Sequence, residues 1–258
     1  MTPPPPSPPP PSSPPSNPPL NPVALLTGAG SGIGRAIALQ LAQRGYRIAL
    51  AGRRIEPLRE TGKLTGLTEG TSWIAIQCDV GDPAQVEAMV HKTAEHFGRL
   101  DALINNAGWT GMKPIEQHTA DEIRKLFEIN AMGPIWAIAK ALPIMLEQGK
   151  GGAGVIVNVS SMATTDPFPG LGIYGSAKAA CETICLAIRN EHPQAESNIR
   201  AYCIALGAVE TDLLRSIVDE DTLPKSAAMP PDRIAAKVVA CVIGETELEN
   251  GQTERVTA

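Results

Sequence analysis

The stretch Val23-Ala24-Leu25-Leu26-Thr27-Gly28-Ala29-Gly30-Ser31-Gly32-Ile33-Gly34 decides the fold of this 258-residue chain. An apolar run of strand length is followed at once by four glycines in seven residues. Arg35-Ala36-Ile37-Ala38-Leu39-Gln40-Leu41 comes next, with the apolar period of a helix. Glycines placed so let the backbone turn tightly and approach a pyrophosphate, whose charge is met by free N–H groups at the helix N-terminus. A plain tight turn is the alternative reading. The strand, loop and helix context is what the phosphate-binding motif requires.

Outward from this stretch the same alternation continues. Short β-branched apolar runs predict strands at 23–27, 46–51, 72–77, 100–104, 155–159, 199–205 and 253–256. Helical periods fall at 32–44, 83–97, 120–148, 173–191 and 231–243. Regular β-then-α order implies right-handed crossovers and a parallel sheet covered on both faces. The expected architecture is therefore one α/β domain over residues 23–258, a doubly wound (Rossmann) sheet with ligands at the carboxyl ends of its strands. Within it, residues 207–230 are expected to form a substrate lid with an acidic tip at Asp219, Glu220 and Asp221.

Ahead of this domain, thirteen of residues 1–22 are proline, and Arg35 is the first charged residue of the chain. Such a composition is read as a solvated polyproline-like tail, with a ligand for an SH3- or WW-type partner as the functional alternative. A net charge of −5 argues against a nucleic-acid partner, because phosphate binders present a basic face. No uninterrupted apolar run reaches the ~20 residues of a bilayer span, and the N-terminus lacks the basic and apolar regions of a signal peptide. The five cysteines, Cys78, Cys181, Cys185, Cys203 and Cys241, are odd in number, lie in apolar surroundings and contain no CxxC pair. They are read as reduced core residues of a cytoplasmic protein. The four histidines show no ligand spacing, and no metal site is expected.

Glycines at 28, 32 and 34 follow the TGxxxGxG form, which resembles the short-chain dehydrogenase/reductase family. The resemblance implies a nicotinamide cofactor held by Gly28, Ser31, Gly32, Ile33 and Gly34. At the end of the second strand, where dehydrogenases that prefer NAD place a carboxylate for the ribose hydroxyl, the chain has Gly52 followed by Arg53 and Arg54. A guanidinium there can pair with a 2′-phosphate, so NADP is favoured over NAD, with Arg53 as the contact. Solvated loop arginines are the alternative. Cys78-Asp79-Val80 resembles the family's pair beside the adenine, made here by Asp79 and Val80, although Asp79 could equally cap a helix together with Asp82. Asn105-Asn106-Ala107-Gly108 matches the family's NNAG. Asn106 can fasten a strand end, while Ala107 and Gly108 leave room for a cofactor.

Tyr174 and Lys178 are four residues apart in a helical segment and so share one face. A free phenol ionises near pH 10, and proton transfer at neutral pH calls for a nearby cation. Lys178 supplies it. Just past the fifth strand, Ser160 and Ser161 compete for the role of a hydroxyl that steadies a developing alkoxide. The resemblance selects Ser161, thirteen residues before the tyrosine. It also makes Asn130 the fourth catalytic member, relaying protons through water to Lys178. Read alone, Asn130 before Gly133-Pro134 is a helix-kink residue. The implied activity is hydride transfer between nicotinamide and a small-molecule ketone or secondary alcohol, with Tyr174 as acid or base.

After the sixth strand the family reads Pro-Gly, whereas this chain has Leu206-Gly207. Gly207, Val209 and Thr211 are carried over as cofactor contacts. Trp109, Met162, Phe168, Leu213 and Leu214 are candidates for an apolar pocket suited to a non-ionic substrate. Helices at 120–148 and 173–191 carry apolar residues beyond one face, and analogy implies a homodimer or homotetramer. Two other classes stay open: a non-catalytic dinucleotide-binding redox sensor, and a scaffold acting through the proline tail.

Overall fold

Seven short apolar runs pair into one sheet, all parallel, in the order β3-β2-β1-β4-β5-β6-β7. The strands are β1 (Val23–Thr27), β2 (Arg47–Gly52), β3 (Trp73–Gln77), β4 (Ala102–Asn105), β5 (Ala153–Ser161), β6 (Asn198–Leu206) and β7 (Thr253–Val256). This computed structural model describes residues 21–148, 153–194 and 196–258. All but the last two residues of the expected proline-rich tail lie outside the described residues.

Period-two alternation sends Ala24 and Leu26 to one face of the sheet and Val23 and Leu25 to the other. On the first face they meet α1 (Gly32–Gln43), α2 (Ile55–Leu64) and α8 (Pro231–Ile243) through Ile37, Leu41, Leu58, Ile234 and Val238. On the second they meet α3 (Pro83–Phe97), α5 (Gly133–Glu147) and α6 (Gly172–Glu191) through Val86, Met89, Met145, Cys185 and Ile188. With helices on both faces, the sheet is the doubly wound single domain that the alternation predicts.

The chain runs from β1 outward to β3, then returns to add β4 on the other side of β1. That reversal opens a crevice at the carboxyl ends of β1 and β4, where ligands of open α/β sheets bind. At the opposite edge the chain enters the fold. The Arg47 N–H donates to the Pro22 carbonyl (2.8 Å), and the Val23 N–H to Asp101 Oδ2 (2.8 Å).

Helix α2 has no counterpart in the sequence reading, because Pro57 and Gly62 punctuate it. Pro57 falls in the first turn, where its missing N–H costs no helical bond. Gly62 is imposed by packing: a Cβ there would lie 2.5 Å from the Trp73 indole. The long helix expected at 120–148 is divided into α4 (Ala120–Phe127), a π-helical turn (Glu128–Met132) and α5. Together Ala120–Glu147 is long and apolar enough to cross a membrane by length and hydropathy alone. Half of its most apolar window is buried in the fold, where α5 packs on α3, β4 and β5.

Residues 207–230 contain the short α7 (Asp212–Arg215). The segment is tied at its base by a bridge between Val209 and Met229. Arg215 holds it across the middle, donating to both carboxylate oxygens of Glu210 and to the carbonyls of Asp219 and Leu223.

Candidate active site

The glycine loop takes its shape from two constraints. Gly28 and Gly32 have φ of +67° and +51°, where L side chains are strained. Gly34 is fixed by space instead: a Cβ would lie 2.1 Å from the Gly28 carbonyl oxygen and 2.8 Å from Asn106 Nδ2. Ser31 stands at the N-cap of α1 without making a capping bond, so its side chain leaves the first-turn N–H groups to an anion.

Loop and β4 are fastened to each other. Asn106 Nδ2 donates to the carbonyls of Thr27 (3.0 Å) and Gly28 (3.2 Å). Thr27 Oγ1 accepts from the N–H groups of Asn106 and Ala107, both at 3.1 Å. The fastening expected of the asparagine is present, and Thr27 is a partner that sequence reasoning missed. Gly108 follows, packed so that a Cβ would sit 3.2 Å from Asn130 Oδ1 and 3.5 Å from Lys178 Nζ. It brings the glycine loop's surroundings up to Asn130 and Lys178.

Arg53 and Arg54 are exposed on the cleft wall, and among the described residues neither guanidinium has an ion-pair partner. Arg35, by contrast, is occupied by Glu60 (2.8 Å) and the Gly30 carbonyl (2.8 Å). Asp82 alone caps α3, accepting from the N–H groups of Ala84 and Gln85. Asp79 closes a turn onto the Gly81 N–H (3.0 Å) and lines the cleft with Val80. Cys78, on the same wall, is a poor nucleophile: burial pushes its thiol up to about 12, helped by the charges of Asp79 and Asp82.

β5 ends at Ser161, whose Oγ accepts from the Ala163 N–H (3.1 Å) and lines the cleft opposite the first turns of α6. From α6 come Tyr174 and Lys178. Lys178 is 3% exposed and its Nζ donates to the Val159 carbonyl (2.9 Å). Ser160 is the more buried serine, and its hydroxyl is engaged by the Lys178 carbonyl (3.2 Å) and Glu182 Oε1 (3.3 Å). Glu182 also accepts from Thr164 (2.7 Å) and Arg255 (3.0 Å), which ties α6 to the turn after Ser161 and to β7. No motif pointed to Glu182; only the fold brings its partners together.

Asn130 lies on the π turn, fully buried and behind the cleft wall. Its Nδ2 donates to the carbonyls of Trp109 (2.7 Å) and Leu126 (2.9 Å), and its Oδ1 accepts from the Trp109 N–H (3.2 Å). The amide therefore holds the NNAG segment against α4, and the widened turn makes room for it.

Gly207, Val209 and Thr211 line the far side of the cleft. Leu206, in the place of the family's proline, is a buried strand residue in register with Ser161 and Val256. The next N–H, of Gly207, donates to the Val256 carbonyl (2.8 Å). The sheet ladder fixes this turn where a proline ring is absent. Thr211 Oγ1 caps α7 by accepting from the Leu214 N–H (3.2 Å), and its methyl reaches the glycine loop at Gly32. Beyond it, Trp109, Met162, Phe168, Leu213 and Leu214 all border the same space, as the sequence suggested. Thr110, which it did not suggest, contributes the one buried side-chain oxygen without a partner among the described residues.

Every site residue expected from the sequence except Asn130 lines one continuous cleft of about 910 Å³. A dinucleotide fits it by two observations: the N-cap serine leaves the start of α1 free, and two guanidiniums without an ion-pair partner among the described residues lie at one end. Among the described residues no cluster of three metal-ligating side chains occurs.

Comparison with known proteins agrees with this geometry. The family model described as short chain dehydrogenase matches residues 22–222. An uncharacterized oxidoreductase of Listeria monocytogenes is 34% identical over 231 residues, spanning 87% of this chain and 91% of that protein. The solved 3-ketoacyl-(acyl-carrier-protein) reductase of Brucella melitensis, complexed with NADH, is 27% identical with a TM-score of 0.83. An actinorhodin polyketide ketoreductase variant with NADPH is 26% identical with a TM-score of 0.82. Both superpositions cover 92% of this chain and 96% of the other.

Proposed function

The chain belongs to the short-chain dehydrogenase family, and from that premise we propose that it interconverts a small-molecule ketone and its secondary alcohol, with NADP(H) as the preferred cofactor. The family's oxidoreductases use nicotinamide dinucleotides. One observation carries the proposal: Ser161, Tyr174 and Lys178 line the same cleft as the glycine loop.

When bound, the nicotinamide supplies or accepts the hydride of the reaction. Tyr174 gives a proton to the substrate oxygen in reduction and takes it back in oxidation. Ser161 Oγ donates to that oxygen and holds it toward Tyr174. Lys178, whose Nζ donates to the Val159 carbonyl, would hold the cofactor ribose and place a cation beside the tyrosine. Asn130 positions the NNAG segment that faces Lys178 across Gly108. The free guanidinium of Arg53 supports NADP by offering a 2′-phosphate a charge-assisted bond. Gly207, Val209 and Thr211 would contact the cofactor, residues 207–230 serve as the substrate lid, and the protein works as a cytoplasmic homodimer or homotetramer.

The test follows absorbance of the reduced cofactor, with NADPH and NADH in parallel, against ketones, quinones, sugars and acyl thioesters. Turnover with NADPH preferred is the expected result. Tyr174→Phe is expected to lose turnover by about 10²-fold or more and to keep NADPH binding. Binding without turnover by the unaltered protein on every carbonyl would instead favour a redox sensor.

A further inference from the structure

The substrate end of the cleft has a chemistry of its own. Of the large apolar side chains that the fold leaves in water, three border this cleft: Phe168 at 74% exposure, Met112 at 46% and Leu213 at 38%. Deeper in, Trp109, Leu214 and Ile217 continue the apolar wall. An apolar patch that gathers round one concavity marks a ligand surface.

The cations nearby are already engaged. Lys113 pairs with Glu122, Arg215 with Glu210, and Lys225 with Glu220. Lys125 lies over the Trp109 ring, 4.4 Å from its centroid, and is outside the cleft lining. The charged residues that line the whole cleft are Arg53, Arg54, Asp79, Lys178, Asp166 and Asp212. The first four belong to the cofactor end and the reacting centre. Asp166, beside Phe168, and Asp212 remain, both exposed and without an ion-pair partner among the described residues.

We propose, resting on the reading of the cleft as a carbonyl reductase site, that the substrate is neutral and bulky. It is a ketone or secondary alcohol whose apolar body lies against Phe168, Met112 and Leu213. Carboxylates, phosphates and thioesters on anionic carriers are disfavoured, because Asp166 repels them and, among the described residues, no free cation lines this end to receive them.

The test compares cyclohexanone, 4-phenylcyclohexanone and 4-(4-oxocyclohexyl)benzoate at neutral pH with NADPH. The phenyl group is expected to raise kcat/KM at least about tenfold over cyclohexanone, and the carboxylate to remove at least about tenfold of it. Phe168→Ala should cut the phenyl-to-cyclohexanone ratio about fivefold, through KM. Asp166→Asn should narrow the discrimination against the benzoate. Benzoate reduced as well as the phenyl ketone, or a ratio indifferent to Phe168→Ala, would overturn the proposal. If none of the three is reduced with either cofactor, the reductase reading fails separately. Equilibrium dialysis of the three compounds against NADPH-loaded Tyr174→Phe protein then still ranks the three affinities. The same order supports the neutral, apolar site, and a flat or reversed order refutes it.

Discussion

Replacing Gly175 by alanine should separate the two halves of the proposed reacting centre without touching either. Gly175 follows Tyr174 in α6, and a Cβ built on it lies 2.1 Å from the Ala163 carbonyl oxygen and 2.9 Å from the Ala163 carbonyl carbon. Ala163 sits in the short 3₁₀ turn Met162–Thr164 that begins right after Ser161. Both colliding atoms are backbone, so no rotamer change relieves the contact. Moving it from 2.1 Å to ordinary contact near 3.4 Å opens the gap between α6 and the turn by about 1.3 Å. Tyr174 rides on one side of that gap and Ser161 on the other. A misplacement near 1 Å at reacting groups costs about 10²-fold in rate, or about 2.7 kcal/mol of barrier. Overpacking of this kind costs about 1–3 kcal/mol of stability. NADPH affinity should fall less than kcat, because the glycine loop, β1 and β4 lie elsewhere and, of the proposed cofactor contacts, only those on α6 such as Lys178 move with the helix. The assay is kcat on the best ketone together with NADPH titration and thermal midpoint, with Ser176→Ala as the neighbouring control. A folded Gly175→Ala protein with kcat within about threefold of the unaltered enzyme would refute the reasoning.

Arg53→Ala is expected to raise KM for NADPH roughly tenfold, as loss of a charge-assisted bond to phosphate should, and to leave KM for NADH nearly alone; equal effects on both cofactors would remove the role given to this residue. All five cysteines are buried, and burial raises the thiols of Cys78 to about 12 and of Cys181 and Cys241 to about 11. A thiol-exchange reagent should label none of the five in the folded protein and all five in denaturant, and rapid native labelling would contradict the burial. The Glu122 carboxyl is held down from 4.5 to about 2, chiefly by its bond from Lys113 and then by the Thr119 N–H. Its folded pKa lies below the unfolded one, so this contact contributes stability above about pH 4.5 and loses it as pH falls toward 2. The difference in thermal midpoint between the unaltered protein and Glu122→Gln should therefore be constant at neutral pH and close in that acidic window; a difference that persists at pH 2 would exclude the pair as its source.

What could be read from the sequence was what depends on neighbours in sequence. The glycine loop, its strand and its helix lie within twenty-one residues, and Val23–Thr27 carries its period and its punctuation together. Tyr174 and Lys178 were readable for the same reason, being one helical turn apart. The order of strands was expected only in outline, since the place of β4 beside β1 depends on pairings some eighty residues apart in sequence. Helix α2 was hidden because Pro57 and Gly62 look like breakers, and only the Trp73 ring explains the glycine. Gly175 and Glu182 carry no local signal at all: one answers to the Ala163 carbonyl, the other to Thr164 and Arg255. The two aspartates at 79 and 82 were indistinguishable until the N–H groups of Ala84 and Gln85 showed which one caps α3.

Because all seven strands run parallel, the chemistry sits on one rim of the sheet and the chain enters at the other. Arg47 and Asp101 grip the backbone at Pro22 and Val23 there, the length of a five-residue strand away from Gly28. At about 3.3 Å per residue this is some 16 Å of sheet between attachment point and cleft. A support, a reporter or a partner enzyme joined at residue 21 would therefore start on the rim away from the mouth of the cleft. That makes this end the natural handle for immobilising the catalyst or for placing it in a cascade.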